Sequence, residues 1–110
     1  MGFAVAWVSL VIAGFLEIAW AYAMKLSNGF TKPWPTVVTI SAMVGSVGLL
    51  ALAMRTIPLS TAYPIWTGIG AVGAFLIGVA ILGEQATPTR VTAAALIVAG
   101  LVMMKASSSP

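Results

Sequence analysis

The sequence predicts an all-α membrane protein of four transmembrane helices, and three observations predict it. Hydrophobic residues make up 61% of the 110-residue chain and charged residues only 6%. A soluble domain carries roughly 25% charge, so this chain cannot cover a water-facing surface. Disorder is excluded by the same numbers, because it requires low hydrophobicity and high charge. Second, the few charges divide the chain into four apolar lengths near 20 residues, enough for a ~30 Å hydrocarbon core at 1.5 Å per residue. Third, strict period-2 alternation, the signature of a membrane barrel, is absent, and backbone in lipid must satisfy its own hydrogen bonds.

The expected spans are residues 3–23, 34–54, 61–82 and 88–104, forming one transmembrane domain over residues 1–110. Lys25 stops the first, Arg55 the second, Gly83-Glu84 the third and Lys105 the fourth. Ser27-Asn28-Gly29 ends helix 1, and Pro33 and Pro35 bracket the start of helix 2. Pro58 separates helices 2 and 3. Thr87 reads as an N-cap with Pro88 at the first helical position, where its missing N–H is harmless; Val91 is the later alternative start. If helix 3 begins at Ser60 or Thr61, Pro64 falls in or next to the first turn, where N–H groups are orphaned; otherwise it kinks the helix. The tail Ser107-Ser108-Ser109-Pro110 is polar and expected to fray. Span 1 does not read as a cleaved signal peptide, since Met1-Gly2 is uncharged and the apolar stretch is long and contains Glu17.

The charges say little about orientation. One side of the membrane holds Arg55 and Lys105, the other Lys25, Lys32 and Arg90. That is nearly no bias by the positive-inside rule. A chain without bias can insert both ways.

Glu17 is the residue that demands a role. It lies well inside span 1, where insertion scales put a charged residue at about +2.5 to +3.5 kcal/mol. The nearest cation, Lys25, is about 12 Å along the axis. Glu17 is therefore protonated or paired with something outside its helix. Such a group can release its proton to a cation and take it back when the cation leaves. The plainer reading is a permanently protonated hydrogen-bond donor between helices. Gly14 and Trp20 share its face, at three residues before and after. Glycine leaves room beside the carboxylate; Trp offers an indole N–H and a π face. Ser46 puts a hydroxyl at the middle of span 2. Tyr63 and Trp66 share a face of span 3, and composition leaves open whether they and Trp20 line a site or sit at an interface. Trp7 and Trp34, at span ends, read as members of the interfacial aromatic belt. Gly70, Ala74 and Gly78, Ser41 and Gly45, and Ala95 and Ala99 make small-residue stripes that let helices approach. Glu84 beside Gly83 reads as a solvated loop carboxylate.

No enzyme is expected. There is no Cys or His, and both acidic residues are Glu, so no triad and no metal set can form. No cofactor and no nucleic-acid partner are implied, because no basic cluster exists.

Two stretches resemble the small multidrug resistance family, and the match covers nearly the whole chain. The first is Gly14-Phe-Leu-Glu-Ile-Ala-Trp20 followed by Met24-Lys25-Leu-Ser27-Asn-Gly29-Phe30. The second is Thr61-Ala-Tyr63-Pro-Ile-Trp66-Thr-Gly68-Ile-Gly70-Ala-Val-Gly73-Ala. Trp20 and the Trp-Thr-Gly-Ile-Gly-Ala run resemble the guanidinium-exporter branch; the broad-specificity drug exporters lack that first Trp and usually read Trp-Ser-Gly. The resemblance implies an antiparallel, dual-topology homodimer in the bacterial inner membrane that exchanges guanidinium for protons. It implies that Glu17 of both copies binds protons or substrate. Ser46, Trp20 and Trp66 would hold the carboxylates by hydrogen bonds, and Tyr63 would gate. Gly68-Ile69-Gly70 would be a flexible point, helix 4 the dimer interface, and Lys105 the match to a basic position of the exporter branch. Pro64 departs from the family pattern, where Ala is expected. Two competing readings are a broad quaternary-ammonium exporter of the same family and a structural membrane subunit that transports nothing.

Overall fold

The computed structural model describes residues 2–107; the fraying expected at Ser108, Ser109 and Pro110 lies outside the described residues. Four helices follow one another: α1 (Phe3–Leu26), α2 (Pro33–Ala53), α3 (Leu59–Ala80) and α4 (Pro88–Ala106). All four are long and apolar enough to cross a membrane. The chain is a multi-pass membrane protein with an all-helical fold.

Local chemistry explains each boundary. Ser27 closes α1: its hydroxyl donates to the Met24 carbonyl at 2.6 Å and accepts from the Phe30 N–H at 3.0 Å. Asn28, Gly29 and Phe30 then take φ of 49°, 73° and 65°, three consecutive left-handed residues that reverse the chain. Only the glycine adopts this region without steric cost. Pro33 and Pro35 both fall in the first turn of α2, whose N–H groups have no intrahelical partner. Thr87 caps α4, with its hydroxyl accepting from the Arg90 N–H at 3.2 Å.

Pro64 corrects an expectation. Pro58 is the N-cap of α3 and Leu59 its first residue. Pro64 is therefore the sixth residue, beyond the first turn, and it withholds the N–H that would bond the Ser60 carbonyl. The helix starts earlier because the Pro58 carbonyl already accepts from Thr61 and Ala62 at 3.0 and 2.9 Å.

The helices lie side by side in the order α2, α1, α3, α4, giving a slab 42 × 35 × 16 Å. α1 packs on both α2 and α3, whereas the α4 backbone comes close to α3 alone. The buried core is gathered at one end, from Ala6, Trp7 and Leu10 of α1, Leu50 and Ala53 of α2, Ile57, and Ala62 and Ile65 of α3. Trp34 is 79% exposed, as an interfacial residue should be, but Trp7 is only 8% exposed. Trp7 is packed into the bundle core with only an edge left open, because α1 is covered on two sides and turns this face largely inward. No residue of α4 is buried.

Candidate functional site

The seam between α1 and α3 is built from side chains resting on glycines. Ile69 fills the space at Gly14, with its Cγ2 2.7 Å from where a Cβ would stand. Ile18 occupies the space at Gly73, and the Glu17 carboxylate lies directly against Gly70. Any side chain at these positions would force the helices apart. Gly14 therefore does not make room for Glu17, as its spacing suggested. Gly70 does, and this pairing crosses between helices, where sequence spacing carries no signal.

Glu17 is half-buried in this seam, and no hydrogen bond among the described residues reaches its carboxylate. Its Oε2 is buried without a partner, and so is Nε1 of Trp20, one turn further along the same face. Two complementary groups, an acceptor and a donor, thus stand unsatisfied on one stretch of α1. An unmet buried polar group costs about 1–3 kcal/mol, and a charged one more.

Ser46 and Trp66 meet, but not on the carboxylate. The Ser46 hydroxyl is fully buried and donates to the Ala13 carbonyl at 2.6 Å. It accepts the Trp66 indole N–H at 2.9 Å. This chain of bonds ties α1, α2 and α3 together one helical turn from Glu17. The expectation that Ser46, Trp20 and Trp66 hold the carboxylate by hydrogen bonds is not what the structure contains: Ser46 and Trp66 satisfy each other. Ala13 entered no sequence reading because a backbone acceptor has no residue signature. Tyr63 is half-exposed and its ring leans on Trp66 at 5.5 Å between centroids, tilted by 57°.

The remaining expected residues lie apart. Gly68 is buried against Leu101 of α4, so it is a packing contact on the other side of α3. Lys105 sits at the end of α4 with its ammonium 4.6 Å from the centre of the Trp7 ring. Glu84 is exposed in the loop after α3; its N–H donates to the Gly78 carbonyl at 2.9 Å. Among the described residues no group of three His, Cys, Asp or Glu could hold a metal ion.

The seam thus leaves a carboxylate oxygen and an indole N–H without partners inside a helix long and apolar enough to cross a membrane. The comparison with known proteins decides the family: the sequence model of the Small Multidrug Resistance protein matches residues 5–97. The chain belongs to the small multidrug resistance family. Within it, the guanidinium exporter of Citrobacter freundii is 50% identical over 102 residues, covering 93% of this chain and 97% of that protein. The guanidinium exporter of Escherichia coli strain K12 gives the same identity and coverage. That of Salmonella typhimurium strain LT2 is 51% identical over the same coverage. The family match spans Glu17, Trp20, Ser46, Tyr63 and Trp66, so it includes every residue of the seam described above.

Proposed function

We propose that this chain exports guanidinium, and small substituted guanidines, across the bacterial inner membrane in exchange for protons. Glu17 is the shared site, and Trp20 completes it. The observation that carries this reading is the Glu17 carboxylate, set against Gly70 without a hydrogen-bond partner. Guanidinium is planar, always charged and matches a carboxylate bidentately. The Trp20 N–H is a donor, so it suits the carboxylate, while its π face suits the cation. Protonation removes the charge that binds guanidinium, and bound guanidinium excludes the proton. Exchange follows from that competition, provided each ligand binds the two conformations differently. The names of the relatives support guanidinium as the cargo.

The working unit in this proposal is an antiparallel homodimer. Two observations support it. The nearly even charge count permits both insertions. α4, with no buried residue, offers a face for a second copy. Tyr63 would gate access beside Trp66, and Gly68 with Gly70 would let α3 bend.

Proton-coupled currents from the purified protein in liposomes test the proposal. Guanidinium should evoke current in the native protein and none in Glu17→Gln, with both forms folded and inserted. Current evoked only by a bulky quaternary ammonium would assign the chain to the broad-specificity exporters. Folded protein that moves neither cation would leave the structural-subunit reading.

A further inference from the structure

Lys105 stands exposed in the last turn of α4, where the ammonium lies over the Trp7 ring. Among the described residues no carboxylate pairs with it. Glu17 is ten residues further along α1 than Trp7, and Glu84 lies in the loop at the opposite end of α4. Trp7 is itself packed in the core, so the platform under the ammonium is fixed. A cation over a buried indole is held in place, where a free lysine would snorkel to water.

Two apolar grooves meet at this ammonium. One, of about 290 Å³, follows α1 over Trp7, Val8, Val11 and Ile12. The other, of about 530 Å³, follows α4 over Leu101 and Val102. Lys105 is the side chain common to both. Each groove runs from the helix end toward the middle of the bilayer, by about 8 Å along α1 and about 6 Å along α4 at 1.5 Å per residue. A fixed positive charge at headgroup depth, with an apolar groove descending on either side, has the shape and polarity of one lipid.

We propose that Lys105 and these grooves bind an anionic glycerophospholipid, with its phosphodiester on the ammonium and one acyl chain in each groove. Lysine binds phosphate as a point charge, and anionic headgroups concentrate cations at the membrane surface. The site uses neither Glu17 nor transport, so it stands or falls separately from the exporter reading.

Fluorescence quenching by brominated lipids tests it. The full-length protein is placed in phosphatidylcholine vesicles that contain either phosphatidylglycerol or phosphatidylcholine brominated near the headgroup end of the chains. The Trp7 signal is taken as the difference from Trp7→Phe. Brominated phosphatidylglycerol should quench Trp7 at least threefold more effectively than brominated phosphatidylcholine. Lys105→Gln should erase that preference and Lys105→Arg should keep it. The native preference should also fall as salt is added, a readout that needs no variant to fold. Equal quenching by the two lipids in the native protein would overturn the proposal. So would a preference that survives Lys105→Gln, which would place the lipid on another cation. Trp7 unquenched by either lipid would overturn the proposal as well, since no acyl chain would then reach the groove.

Discussion

Two glycines of α3, two residues apart, meet different helices. Gly70 lies under the Glu17 carboxylate of α1, and Gly68 lies under Leu101 of α4. Two residues turn a helix by about 200°, so the same small residue serves opposite faces. The α1 seam is interlocked at Gly14, Gly70 and Gly73 and tied by the Ser46 bonds. The α4 backbone comes close to α3 alone, and no α4 residue is buried. Close approach at a glycine therefore does not by itself bury a helix. Glycine contacts and interhelical hydrogen bonds coincide on the α1 side, and that is where the ionisable residue sits.

One substitution made at both positions sharpens the contrast. Gly70→Ala would drive a methyl into the Oε1, Cδ and Cγ atoms of Glu17. The side chain must leave its place, so guanidinium should need a concentration at least about tenfold higher for half-maximal current, equivalent to about 1.4 kcal/mol. Gly68→Ala meets the Leu101 side chain, on a helix with no buried residue and away from Glu17. Its effect on the same current should be less than about threefold, or 0.7 kcal/mol. Equal effects would show that the Glu17–Gly70 contact has no special part in binding.

Ser46→Ala probes the bonds of the α1 seam. It removes the donor to Ala13 and leaves the Trp66 N–H without its acceptor. A stranded buried donor costs about 1–3 kcal/mol in soluble proteins, but bonds between membrane helices average nearer 0.6 kcal/mol. Ser46 is fully buried and its bond to Ala13 is short, so about 1 kcal/mol is expected in reversible unfolding in mixed micelles. Trp66→Phe in the Ser46→Ala background should cost little more, because the donor is then gone as well. An additive double variant would deny the coupling.

The four helices were legible because lipid imposes composition directly. Span length, the absence of charge and the capping residues Ser27 and Thr87 all act within one segment. Glu17 was legible for the same reason: a carboxylate in a membrane helix stands out without any knowledge of its neighbours. What was not legible depends on which helix faces which. The partner of Glu17 is Gly70 and not Gly14, because contacts across a seam are set by packing register. Ser46 bonds a backbone carbonyl, which no residue type announces. Trp7 looked interfacial by position, yet the crossing of α1 with its neighbours turns it inward. Pro64 falls in the helix interior because α3 starts one or two residues earlier than expected, and boundaries are the least determined part of a sequence reading.

The smallest expected effect tests the loose side of the comparison. Thr87 accepts the Arg90 N–H at 3.2 Å, a long bond at the exposed start of α4. A cap is worth about 0.5–2 kcal/mol, and the low end applies here because the bond is long and water is near. Arg90 adds a positive charge to the positive end of the helix dipole, so the cap has that repulsion to offset as well. Thr87→Ala should therefore fray the first turn. Amide hydrogen exchange at residues 90–92 should quicken by roughly two- to fivefold, as about 0.5–1 kcal/mol requires. Global unfolding should hardly change, since α4 can open at its start without breaking the α1 seam. If Thr87→Ala instead lowered global stability as much as Ser46→Ala, α4 would be unfolding together with the rest of the bundle. The two sides of α3 would then differ in geometry but not in rigidity.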